Sequence, residues 1–66
     1  MRARLKPSTI IQNPAYDWVR SSHLYEAEWS EKMISPKPVV LLHPDRHDVF
    51  CELPFASVEI VADDHA

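Results

Sequence analysis

Apolar and polar residues alternate at period two in several short stretches, the repeat of a half-buried β-strand. In "RARLKPSTIIQN", Arg2, Arg4 and Lys6 alternate with Ala3 and Leu5, which puts the basic groups on one face of an extended strand, and Thr9, Ile10 and Ile11 add β-branched character. In "YEAEW", Tyr25, Ala27 and Trp29 alternate with Glu26, Glu28 and Ser30. The aliphatic run "KPVVLLHPD" ends in a turn, and "HDVFCELPF" follows at the spacing of a hairpin. In "ASVEIVADD", Val58, Ile60 and Ala62 face one way and Glu59 and Val61 the other. One segment reads two ways. From His23 to Ile34, Tyr25, Trp29 and Met33 also fall at helical spacing, with Ser22 as an N-cap and Ser35-Pro36 as a stop. The strands that follow favour the extended reading.

Turns must be made without glycine, which is absent, so proline and Asx residues carry them. The six prolines cut the chain into segments mostly too short for a stable helix. Asn13-Pro14 is a turn signal, and "AYDWVRSSH" reads as an irregular loop carrying Tyr16 and Trp18. From residue 23 to 62 the order is a long strand, a turn, a hairpin, and then "ELPFASVEIV", in which a proline and a short turn precede a last strand. This order resembles the second half of SH3-like and Tudor-like small β-barrels. The resemblance implies a mainly β fold: a small five-stranded SH3-like barrel, or a strongly bent antiparallel sheet. Such barrels usually carry turn glycines, which this chain lacks.

At 66 residues the chain is expected to be one small domain over residues 1–66, its acidic C-terminal tail, 62–66, flexible. A domain of this size buries about 60% of its unfolded surface, and its core supplies only about 3–5 kcal/mol. Association with a partner or with a second copy would relieve that shortage. A hydrophobic fraction of 45% with 26% charged residues is that of a folding chain and not of a disordered one. A single cysteine, Cys51, excludes an intramolecular disulfide and reads as a small core hydrophobe beside Val49 and Phe50. The basic start lacks the apolar run of a signal peptide, and no stretch is long enough to span a membrane, so a cytoplasmic protein is expected. The net charge is −3, with a basic first segment and an acidic end at Asp63 and Asp64. This balance weakens general nucleic-acid binding, which draws its affinity from phosphate neutralisation.

Candidate chemistry is sparse. The stretch "LHPDRH" contains His43-Pro44-Asp45, the signature tripeptide of J-domain cochaperones. That family sets the tripeptide between helices, whereas Pro36, Pro38 and the β-like "VFCELPF" surround it here. A hairpin tip explains the same letters, with Pro44 presetting φ and Asp45 capping its own turn. His43, Asp45, His47, Asp48 and Cys51 lie close in sequence, but a histidine pair spaced four apart meets a metal on a helix and not across a turn. No metal or cofactor is expected. Glu26 and Glu28 share a strand face, yet a carboxylate pair needs a pocket to do acid–base work. With no nucleophile motif and no phosphate-cradling loop, the chain is not expected to be an enzyme.

Aromatic residues are more informative. Tyr16, Trp18, Tyr25 and Trp29 cluster together with Asp17, Glu26 and Glu28. Tyr25 and Trp29 are expected to point into the core, leaving Tyr16 and Trp18 as surface candidates. The expected role is a non-enzymatic protein-binding module: an adaptor, regulator or inhibitor of the small type encoded by bacteria, phages and mobile elements. Its docking residues would be Tyr16, Asp17, Trp18, Glu26 and Glu28, because Trp and Tyr dominate interface hot spots. The rival is nucleic-acid binding through Arg2, Arg4 and Lys6, aided by bases stacking on exposed rings.

Overall fold

The computed structural model describes residues 1–62. It is mainly β, with strands β1 (Arg2–Leu5), β2 (Tyr25–Trp29), β3 (Val39–Leu42), β4 (Phe50–Leu53) and β5 (Val58–Ala62). Short 3-10 turns cover Pro14–Tyr16 and Phe55–Ser57. Residues 23–34 therefore contain a strand and no helix. The expected tail begins at Ala62, which ends β5, and its remaining residues 63–66 lie outside the described residues. No helix among the described residues is long and apolar enough to cross a membrane.

All pairings are antiparallel, in the order β4-β3-β2-β1-β5. The sheet bends at β2. Its first residues, Tyr25 and Glu26, pair with β1, while Ala27, Glu28 and Trp29 pair with β3. Ala27 N–H also donates to Met1 O at 2.8 Å, which prolongs the β1 contact by one step. The strands do not close into a barrel, because β4 and β5 stay unpaired as the two edges. Of the two expected architectures, the bent sheet is the one formed. The proline and short turn expected before the last strand are present as Pro54 and the 3-10 turn of Phe55–Ser57, where Ser57 N–H donates to Pro54 O.

Alternation decides the inner face. Ala3 and Leu5, Tyr25 and Ala27, Val39 and Leu41, Cys51 and Leu53, and Val58 form one buried cluster, each pair two residues apart on its strand. A loop completes this core. Residues 6–24 fold back so that Val19 joins the cluster and Ile11, Tyr16 and Trp18 pack against it. Side chains of a connection thus cover apolar area that strand-to-strand closure would cover in a barrel.

The absence of glycine shows in the connections. No described residue has positive φ, so the primed two-residue turns of tight hairpins do not occur among them. Longer connections built on proline and side-chain caps replace them. Asn13 Oδ1 accepts from Ala15 N–H at 3.0 Å and Pro14 starts the 3-10 turn, which satisfies an end that would otherwise leave donors bare. The Tyr25 hydroxyl holds the same loop from the sheet side: it donates to Trp18 O at 2.9 Å and accepts from Arg20 N–H at 2.8 Å. Ser35-Pro36 in the β2–β3 connection is a cis peptide.

Candidate functional site: an aromatic and acidic sheet surface

Trp29 lies on the inner-face register of β2, opposite Val39, yet it is 46% exposed. Its place at the last position of the strand carries the ring past the rim of the core. There it stacks on Phe55, with centroids 5.9 Å apart and planes inclined by 20°. Phe55 is itself 41% exposed, on the turn that follows Pro54. The expectation that Trp29 points inward is corrected by this pair. Tyr25, expected inward on the same grounds, is buried.

The loop aromatics are corrected in the opposite direction. Tyr16 and Trp18 are half-buried against the core and are not free surface rings. Trp18 meets Tyr25 edge-on at 5.6 Å and lies 4.9 Å from the ring of His43. Its Nε1–H is buried without an acceptor among the described residues. Asp17 beside it is exposed and lines a hollow with Asp45 and Arg46. Glu26 and Glu28 are exposed on the outward face of β2, but they edge different hollows: Glu26 the one with Arg2 and Leu42, Glu28 the one with Trp29 and Phe50. The structure therefore divides the five expected docking residues between two regions, the β1–β2 loop and the outer face of β2.

Basic residues of the first segment are exposed as their alternation implies. Arg4 Nε reaches Glu59 Oε2 at 3.1 Å, and Arg2 stands opposite Glu26 in the β1–β2 register. Lys6 lies beyond the end of β1, where its N–H donates to Ser57 O. Carboxylates on both neighbouring strands break up what the sequence alone presents as a row of positive charge.

At the hairpin tip, His43 makes the cap assigned above to Asp45. Its Nδ1 accepts from Asp45 N–H at 3.0 Å, which puts the imidazole proton on Nε2. His43 N–H donates to Val49 O and Val49 N–H to Arg46 O, closing the loop. Among the described residues no three His, Cys, Asp or Glu side chains come together as a metal site. Cys51 is fully buried, and burial pushes its thiol up to about 11, the behaviour of a core residue and not of a nucleophile.

One polar cluster lies beside the aromatic pair. Ser30, buried at the end of β2, donates from Oγ to Glu52 Oε2 at 2.8 Å and accepts from Lys32 N–H at 3.2 Å. Lys32 Nζ meets Glu52 Oε1 at 2.6 Å. Hydrogen bonds from Lys32 and Ser30 hold the Glu52 carboxyl below the usual glutamate range. Sequence reasoning passed over Phe55, Phe50 and Glu52. A phenylalanine next to a proline in a turn was the available signal for Phe55, whereas Glu52 gains its role only from strand pairing.

No family model, no curated protein and no solved structure matches this chain.

Proposed function

We propose that the protein is a non-enzymatic docking module that binds another protein through the outer surface around the end of β2. The supporting observation is the exposed, stacked Trp29–Phe55 pair. Two large rings held out of a core this small leave usable hydrophobic area in water, and such rings anchor protein interfaces. Glu28 and Glu31 line a hollow with Trp29 and would add orientation and on-rate. A cytoplasmic setting suits the lone thiol of Cys51, kept reduced and buried. Nucleic-acid binding through Arg2, Arg4 and Lys6 has less support, since Glu59 and Glu26 stand against the first two cations.

The test is affinity capture from the native lysate with nuclease present, using wild type, Trp29→Ala and Phe55→Ala. A stoichiometric protein partner retained by wild type and lost from both folded variants is the expected result. Capture that disappears with nuclease, or that both variants retain, would overturn the reading.

A further inference from the structure

The sheet surface turned away from the core has an ordered pattern. Glu28, Val40 and Glu52 lie side by side across β2, β3 and β4, and Leu42 pairs with Phe50 in the next outward row. Phe50 is 56% exposed. A hollow of about 380 Å³ lies over Val40, Leu42 and Phe50, with Trp29, Glu28 and Glu31 at its rim. Its lining therefore joins an apolar patch to three carboxylates, Glu28, Glu31 and Glu52, set against Lys32 and His47.

The rim charges are not equivalent. Glu52 is already engaged by Ser30 and Lys32. Glu28 and Glu31 are exposed and have no hydrogen-bond or ion-pair partner among the described residues. An apolar floor beside two uncompensated carboxylates and a half-exposed indole is complementary to a cation carried on an apolar segment.

We propose that this hollow receives a cationic, apolar-containing segment of a partner protein. Val40, Leu42 and Phe50 would cover its apolar side chains, Glu28 and Glu31 would pair with its Lys or Arg, and Trp29 would offer its ring face to the same cation. The proposal rests on the docking reading above and adds the partner's chemistry. Charge selects this occupant over others. A second copy meeting the same face across a two-fold axis would bring a second set of the same three carboxylates, Glu28, Glu31 and Glu52, to the interface. Nucleic acid and anionic lipid would bring phosphates against them.

Amide-resonance titration of the isotope-labelled full chain with two short synthetic peptides tests it, one alternating Lys and Val and the other Glu and Val. The Lys peptide is expected to shift the amides of Glu28 to Glu31, Val40 to Leu42 and Phe50, with affinity falling severalfold as salt rises from about 0.05 M to about 0.5 M. Glu28→Gln with Glu31→Gln should weaken it about tenfold, and Phe50→Ser should abolish it while the spectrum of the fold persists. Absent shifts at this face, equal binding of the Glu peptide, or indifference to the double Gln variant overturns the proposal. If lysate capture nevertheless depends on Trp29 and Phe55, the docking reading stands and only the cationic occupant is refuted; if that capture is absent as well, both fall.

Discussion

Ser30 Oγ donates a 2.8 Å hydrogen bond to Glu52 Oε2, tying the residue that follows β2 to edge strand β4 across the intervening β3. Lys32 completes the carboxylate's environment from the same connection. This link has a pH signature. The folded Glu52 is held below its ordinary value by Lys32 and Ser30, so its contribution to stability is present above the ordinary glutamate value, about 4.3, and is lost as pH falls through the lowered folded value. Thermal melting between neutral and acidic pH should show wild type losing more stability on acidification than Glu52→Gln. Equal losses would show that the link carries no linkage energy.

Tyr25 is buried and its hydroxyl serves two main-chain groups of the β1–β2 loop. Tyr25→Phe keeps the ring and leaves Trp18 O and Arg20 N–H without that partner, at a cost of about 1–3 kcal/mol. Urea unfolding should show a lower midpoint with an unchanged slope. A midpoint within error of wild type would mean that water replaces the hydroxyl at no cost.

Leu41 is fully buried in β3 and belongs to the core cluster. Leu41→Ala should cost about 2–5 kcal/mol, comparable to the roughly 3–5 kcal/mol that a core of this size supplies, and so leave the chain largely unfolded at 25 °C. By contrast, Glu59→Gln removes only the exposed Arg4 pair and should change stability by less than about 1 kcal/mol. Circular dichroism of the two variants checks both expectations.

Cys51 combines complete burial with a thiol raised to about 11. Near neutral pH its thiolate fraction is about one in ten thousand, so a thiol reagent should modify it only as fast as the fold opens. The labelling rate should rise with urea in step with the unfolded fraction. Rapid labelling of the native protein would contradict the assigned burial.

The two indoles report separately. Trp18→Phe leaves the exposed Trp29, whose emission should be red-shifted and readily quenched by iodide; Trp29→Phe leaves Trp18, packed on Tyr25 and His43, whose emission should be bluer and protected. Reversed quenching would refute the assignment of Trp29 to the surface.

Period-two alternation made the inner face readable before any fold was known: Ala3 with Leu5, Tyr25 with Ala27, Cys51, and Val58 all lie where the pattern puts them, because side-chain direction along a strand is a local property. The lack of glycine likewise announced proline and side-chain turns. What the pattern left open depends on residues far apart in sequence. The hand-over of β2 from β1 to β3 keeps the sheet bent and open, and the β1–β2 loop packs over the core, which leaves Tyr16 and Trp18 half-buried against it. Trp29 obeys the alternation and still emerges, since it ends β2 opposite Val39 and its ring stacks on the half-exposed ring of Phe55 and not on the buried cluster. Glu52 reads in sequence as one more surface carboxylate; only pairing across three strands sets it beside Ser30 and Lys32 and leaves Glu28 and Glu31 as the uncompensated charges of the hollow.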